Sequence, residues 1–206
     1  MIKGFSDNAQ RLSTALFSLS YMQLDNCIKG RRSIRLYKEE AVPKEKIESV
    51  LEAGVCAATG MGRQPWRFVI VEDKETIKHV SEETKKAVRK AMPAIADRFE
   101  TDKDIICYNA PVLIFICTEV DATFGNINLR DSVLAAQNMF LKAHELGLGG
   151  CYMGWIDLLN QTHPEILKET VIPAGYEMQV PLILGYPKSK PTAGKRNKPN
   201  VLKWIK

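Results

Sequence analysis

The chain has 206 residues, enough for one domain with a sizeable core, and its 45% hydrophobic and 26% charged residues are an ordinary globular balance. No apolar run reaches the roughly 18 residues of a membrane-spanning helix, and no small-residue cleavage site follows the short apolar stretch at Ala15–Met22, so a membrane or secreted protein is not expected and a cytoplasmic one is. The net charge of +5 is unevenly placed: residues 187–206 hold seven Lys and Arg and no acid, which leaves −2 for the rest and favours discrete anion contacts over a face that coats nucleic acid.

In chain order, residues 8–28 place Leu12, Ala15, Leu16 and Leu19 at helical spacing. A dimer arm, a membrane-surface element and an upstream extension all fit; the extension, residues 1–22, is preferred, with the domain over 23–206. Lys29-Gly30-Arg31-Arg32-Ser33-Ile34-Arg35 then sets four cations and a hydroxyl in seven residues. Arginine's planar fork matches phosphate, serine adds a short neutral donor, and glycine allows close backbone approach. The loop is therefore either a pocket for a phosphorylated cofactor or nucleotide, or a solvated basic turn.

Pro43 and Glu45 open a helix whose stripe is Ile47, Val50, Leu51 and Val55, running to about Ala57. A loop with two glycines, Ala58 to Trp66, leads into a strand over Arg67–Val71. Trp66 reads as a structural plug, and Tyr37, Met61 and Trp155 read as core. A charged helix spans Thr76–Lys90. Pro111–Thr118 is a buried strand without alternation. A long helix covers about Leu129–Leu146, with Gly147 as its cap. Gly149–Trp155 is a small-residue segment, His163–Glu169 a short helix and Gln179–Tyr186 the last strand. The basic tail leaves from Pro187, and Pro191 and Pro199 mark it as an extended strap.

Several chemistries find no support. The cysteines at 27, 56, 107, 117 and 151 form no Cys-x-x-Cys, the histidines at 79, 144 and 163 form no metal pattern, and no Gly-x-Ser-x-Gly occurs. Gly60-Met61-Gly62 meets Pro65 where a dinucleotide fingerprint needs glycine, and the glycines at 147–154 follow a helix instead of a strand.

Four segments, in order, resemble the FMN-dependent nitroreductases. Arg31-Arg32-Ser33-Ile34-Arg35 resembles the family's opening Arg-Arg-Ser-x-Arg motif, and Ala58 to Phe68 its Pro-Ser-x-x-Asn-x-Gln-Pro-Trp-x-Phe loop. Asp131 to Gly150 is similar to the central helix and glycine turn, and Leu184-Gly185-Tyr186-Pro187 with Lys195 and Arg196 to the last strand and basic tail. The match spans about residues 23–200. Ala58 replaces the usual proline, Thr59 keeps the serine's hydroxyl, and Gly62 loses the asparagine's amide.

The resemblance implies an α+β fold, a three-layer α/β/α sandwich around a mainly antiparallel mixed sheet, assembled as an intertwined homodimer with FMN at two interface sites. It implies that Arg31, Arg32, Ser33 and Arg35 hold the phosphate, ribityl chain and pyrimidine edge, and that Lys195 and Arg196 complete the phosphate site. Ala58, Thr59 and Gly60, with Gly62 at the asparagine's place, would line the partner's flavin, and Met153 and Gly154 would offer backbone donors near N5. No catalytic side chain is then required, because the flavin carries hydride by ping-pong from NADH or NADPH to a nitroaromatic, quinone or similar acceptor. A diverted chemistry (flavin fragmentation, dehalogenation or dehydrogenation) is the runner-up. A nucleic-acid module built on the same cations would bind with steep salt dependence; the lack of interleaved aromatics argues against it, and neither nucleic acid nor membrane is expected as a partner.

Overall fold

The structure is a computed structural model that describes residues 23–189, 191–192 and 194–206. The 1–22 extension, and the part of the 8–28 helix before residue 23, lie outside the described residues. Helix α1 (Leu24–Gly30) ends as the basic loop begins. Helix α2 (Lys44–Val55) starts directly after Pro43, whose missing N–H costs nothing at a helix start. Strand β1 (Arg67–Val71) follows, then helix α3 (Lys74–Ala91), where the Asp73 carboxylate accepts the Thr76 N–H at 2.8 Å.

A 3₁₀ segment, Pro93–Phe99, bridges to β2 (Val112–Glu119). Helix α4 (Gly125–Glu145) begins four residues earlier than its apolar pattern indicates. It closes with the Leu148 N–H on Ala143 O (2.8 Å) and the Gly147 N–H on His144 O (3.1 Å), Gly147 standing at φ 76°. Those paired bonds are a Schellman stop, in which glycine alone adopts the left-handed turn without strain. The Gly149–Trp155 segment resolves into strand β3 (Gly149–Tyr152) and the start of helix α5 (Gly154–Thr162); α6 (Pro164–Thr170) and β4 (Tyr176–Gly185) complete the chain order.

The sheet runs β1-β2-β4-β3 and every paired neighbour is antiparallel. The parallel component of the expected mixed sheet is reduced, among the described residues, to an isolated bridge between Ser33 and Gly150. Leu113, Phe115 and Cys117 of β2 pack under α3, α5 and α6, while Val112, Ile114 and Ile116 pack under α2 and α4. Both faces of β2 are therefore buried, which is why its sequence shows no alternation. Helices on both sides make the three layers. No helix among the described residues is long and apolar enough to cross a membrane.

Tyr37 and Trp66 are buried as read from the sequence. Met61 is not: it is 76% exposed, because its loop never turns inward. Trp155 stays partly exposed, its ring edge-on to Phe99 at 5.3 Å.

Candidate functional site

The basic loop is tied to the open edge of the sheet. The Ile34 N–H donates to Gly150 O at 3.2 Å, and the buried Ile34 side chain lies against Gly149, where a Cβ would come within 2.9 Å of the Ile34 Cβ. Glycine is required there by close approach, so Gly149 does more than stop α4. A cavity of about 230 Å³ lies behind the loop, its wall including Arg31, Arg32, Phe140, His144, Glu145, Gly149, Gly150 and, from the departing tail, Pro187 and Pro191.

The cations divide by role. Arg31 lies half-buried with its guanidinium 6.0 Å from the Phe140 ring centroid. Burial lowers its pKa first, then the charges of Arg196 and Arg32. Arg196 lies 165 positions further along the chain, yet its charge acts directly on Arg31. Among the described residues the only carboxylate on the cavity wall is Glu145, which pairs with Lys142 at 2.7 Å, so cations outnumber acids around the loop. Arg32 turns the other way: its Nη1 donates to Lys29 O and Arg31 O, both at 2.7 Å, capping α1, while its Nε is buried without a hydrogen-bond partner. Arg35 hydrogen-bonds the Tyr108 phenol, whose pKa burial raises. The Ser33 hydroxyl meets the Cys151 thiol, also raised by burial, with Arg35 and Arg31 opposing. Lys195 is exposed, and no contact among the described residues draws it to the loop.

Thr59, Gly60 and Gly62 form a second patch with Ala58. Thr59 Oγ1 accepts the Gln64 N–H at 3.4 Å, closing the loop on itself, and the Gly60 N–H reaches both Asp131 carboxylate oxygens at 3.2 Å. Of the two expected donors after β3, Met153 is already committed: its N–H goes to Pro181 O at 3.0 Å and its side chain joins the core. Gly154 opens α5, where first-turn N–H groups have no intrahelical acceptor. Tyr108, Cys151, Phe140 and Asp131 had no signal in the sequence, since each meets the site from a distant segment.

A family model described as Nitroreductase family matches residues 28–186. The chain belongs to that family. This nitroreductase-family chain is 30% identical over 175 residues to a provisionally assigned NADH dehydrogenase/NAD(P)H nitroreductase of Methanothermobacter thermautotrophicus, covering 79% of this chain and 82% of the relative. It is 32% identical to the iodotyrosine deiodinase of Thermotoga neapolitana, over 72% of this chain and 85% of that one. Among solved structures, an FMN-dependent nitroreductase of Clostridium difficile R20291 superposes with a TM-score of 0.63 at 29% identity, over 83% of this chain and 91% of that chain.

Proposed function

We propose that this nitroreductase-family chain is an FMN-dependent NAD(P)H oxidoreductase that reduces nitroaromatics, quinones or similar electron-poor acceptors by ping-pong, as a cytoplasmic homodimer. The observation that carries the reading is the basic loop pinned by the Ile34–Gly150 bond beside a cavity of about 230 Å³ that Arg31 and Arg32 line, with the charge of Arg196 among those that lower the Arg31 pKa. The chemistry of the donors fits a phosphorylated flavin: the half-buried guanidinium of Arg31, the hydroxyl of Ser33 and a glycine-floored edge at Gly149 and Gly150.

Arg31 and Arg196 hold the phosphate with Ser33 beside them, and Arg35 faces the pyrimidine edge. Arg32 contributes by fixing the loop's exit from α1. Ala58, Thr59, Gly60 and Gly62 line the partner's site with backbone. Of the pair after β3, Gly154 rather than Met153 supplies the N–H toward the reacting edge. When bound, FMN supplies the hydride-carrying ring. The protein's own part is electrostatic: cations and a helix N-terminus favour negative charge on the reduced cofactor. Exposed Leu24 and Ile28 on α1 and Leu129, Val133 and Leu134 on α4 offer the apolar surface a second copy would cover. None of the five cysteines is in a disulfide, which supports a reducing compartment.

The deiodinase relative favours a second reading, reductive removal of halide from an aromatic ring. Both readings share the first experiment: the visible spectrum of the purified protein and the identity of any cofactor released on denaturation. FMN is expected, with Arg31→Ala and Arg196→Ala each weakening it at least about tenfold, the loss of about 1.4 kcal/mol of charged contact. A colourless protein that takes up no added FMN would overturn both. Turnover of NAD(P)H with a nitroaromatic, against halide release from an iodophenol, separates them.

A further inference from the structure

The loop between α2 and β1 holds an unusual run of left-handed backbone: Met61 at φ 55°, Gly62 at 65° and Gln64 at 48°. Two of these three are not glycine, and residues with side chains keep such angles only where their surroundings over-determine them. The surroundings here are the start of α4. The Gly60 N–H is held by both oxygens of the buried Asp131, and the Gly60 backbone lies so close to the helix that a Cβ would stand 3.0 Å from Ile127 Cγ2. Beyond the left-handed pair, the Arg63 guanidinium donates to Asn128 Oδ1 at 3.0 Å, pairs with Asp121 Oδ2 at 3.4 Å and lies 4.0 Å from the Phe124 ring centroid. Its anchors are themselves fixed: Asn128 is buried, and Asp121 Oδ1 accepts the N–H groups of Thr123 and Phe124 at 2.8 and 3.2 Å.

These contacts satisfy the buried Asp131 and Asn128 but bring no apolar side chain of the loop into the core. Residues 60–62 bury no side chain, and Met61 points outward between the two fixings. The interactions are spent on the shape of an exposed segment. We propose that Arg63 is a positioning residue: with Asp131 it presets the loop 59–64 in the conformation that the flavin ring of the partner subunit meets. This rests on the flavin-enzyme reading above. Arg63 acts through the loop and touches no reacting atom. Arginine suits the task because one planar fork can bond two side chains while its face covers an aromatic ring, which a lysine cannot do.

The test is titration of apo-protein with FMN, followed by flavin fluorescence, for the wild type, Arg63→Ala, Arg63→Lys and Glu119→Gln. Glu119 pairs with Arg67 at 3.8 Å beside the loop and is the control. Arg63→Ala is expected to raise the FMN Kd at least about fivefold, Arg63→Lys to fall between it and the wild type, and Glu119→Gln to stay within about twofold. The apo melting temperatures should stay within about 4 °C of the wild type, since the loop buries no apolar side chain and the loss at the buried Asn128 is a single hydrogen bond. A wild-type Kd in Arg63→Ala overturns the inference and leaves the flavin reading standing. A fall in melting temperature of more than about 6 °C in both Arg63 variants also overturns it, by making Arg63 a fold residue. A wild-type protein that takes up no FMN overturns both readings, and that result is seen before any variant is made.

Discussion

Asp157, in the first turn of α5, is a carboxyl whose surroundings work against its charge. Burial raises its pKa to about 6 from an ordinary 3.8. A helix N-terminus favours a negative charge, so desolvation outweighs the dipole here. Below about pH 4 the folded and unfolded states both carry the proton and Asp157 contributes nothing. Between about 4 and 6 the folded state binds more protons, so stability falls as pH rises, and above 6 the cost is fully present. Asp157→Asn is expected to raise stability at pH 7.5 by about 1 kcal/mol, a figure reduced for the side chain's partial exposure, and to change nothing at pH 4. Urea melts of both proteins at the two pH values check this; an equal difference at both would mean that the proton is not involved.

At the scale of elements, the narrowest joint lies between β3 and the basic loop. A methyl group on Gly149 would meet Ile34 Cγ1 at 2.2 Å and Pro187 Cγ at 3.0 Å, pressing the loop and the tail away from the sheet together. Gly149→Ala is expected to cost about 2 kcal/mol and several degrees of melting temperature, measured by thermal unfolding. It should also weaken FMN, because the displaced loop carries Arg31. This joint shows where sequence reasoning stops. Elements with a clear periodicity or a continuous apolar run, α2, α3, α4, β1, β2 and β4, were legible within a few residues. β3 was not: Gly149 and Gly150 have no strand propensity, and only the ladder with Leu184 and Gly185 makes them one. Helix α5 was hidden for the same reason, since it starts one residue after that strand's cap. In the site, the arginines and the tail could be found because charge clusters are visible in one dimension. Met153's bond to Pro181 and Tyr108's bond to Arg35 are settled by packing between distant segments, and no local pattern encodes them.

For the whole molecule, the described C-terminal tail leaves the domain with apolar groups uncovered. Val201, Leu202, Trp204 and Ile205 are between 58% and 94% exposed. A lone soluble chain seldom leaves so many large apolar side chains together in water. If a second copy covers them, a chain ending at Asn200 should dimerise at least about tenfold more weakly in sedimentation velocity, while its monomer keeps the same far-UV spectrum. An unchanged dimer would place the interface on α1 and α4 alone. The bridge from Ser33 to Gly150 acts at this scale as well. β3 is a border strand of four residues, and the Ile34 N–H already occupies its outer carbonyl at Gly150. The loop that gathers the cations is thus also a guard against edge-to-edge aggregation. If the cations of that loop hold the cofactor's phosphate as proposed, the protein without FMN is expected to lose solubility as well as activity, which light scattering of apo- and FMN-loaded protein checks.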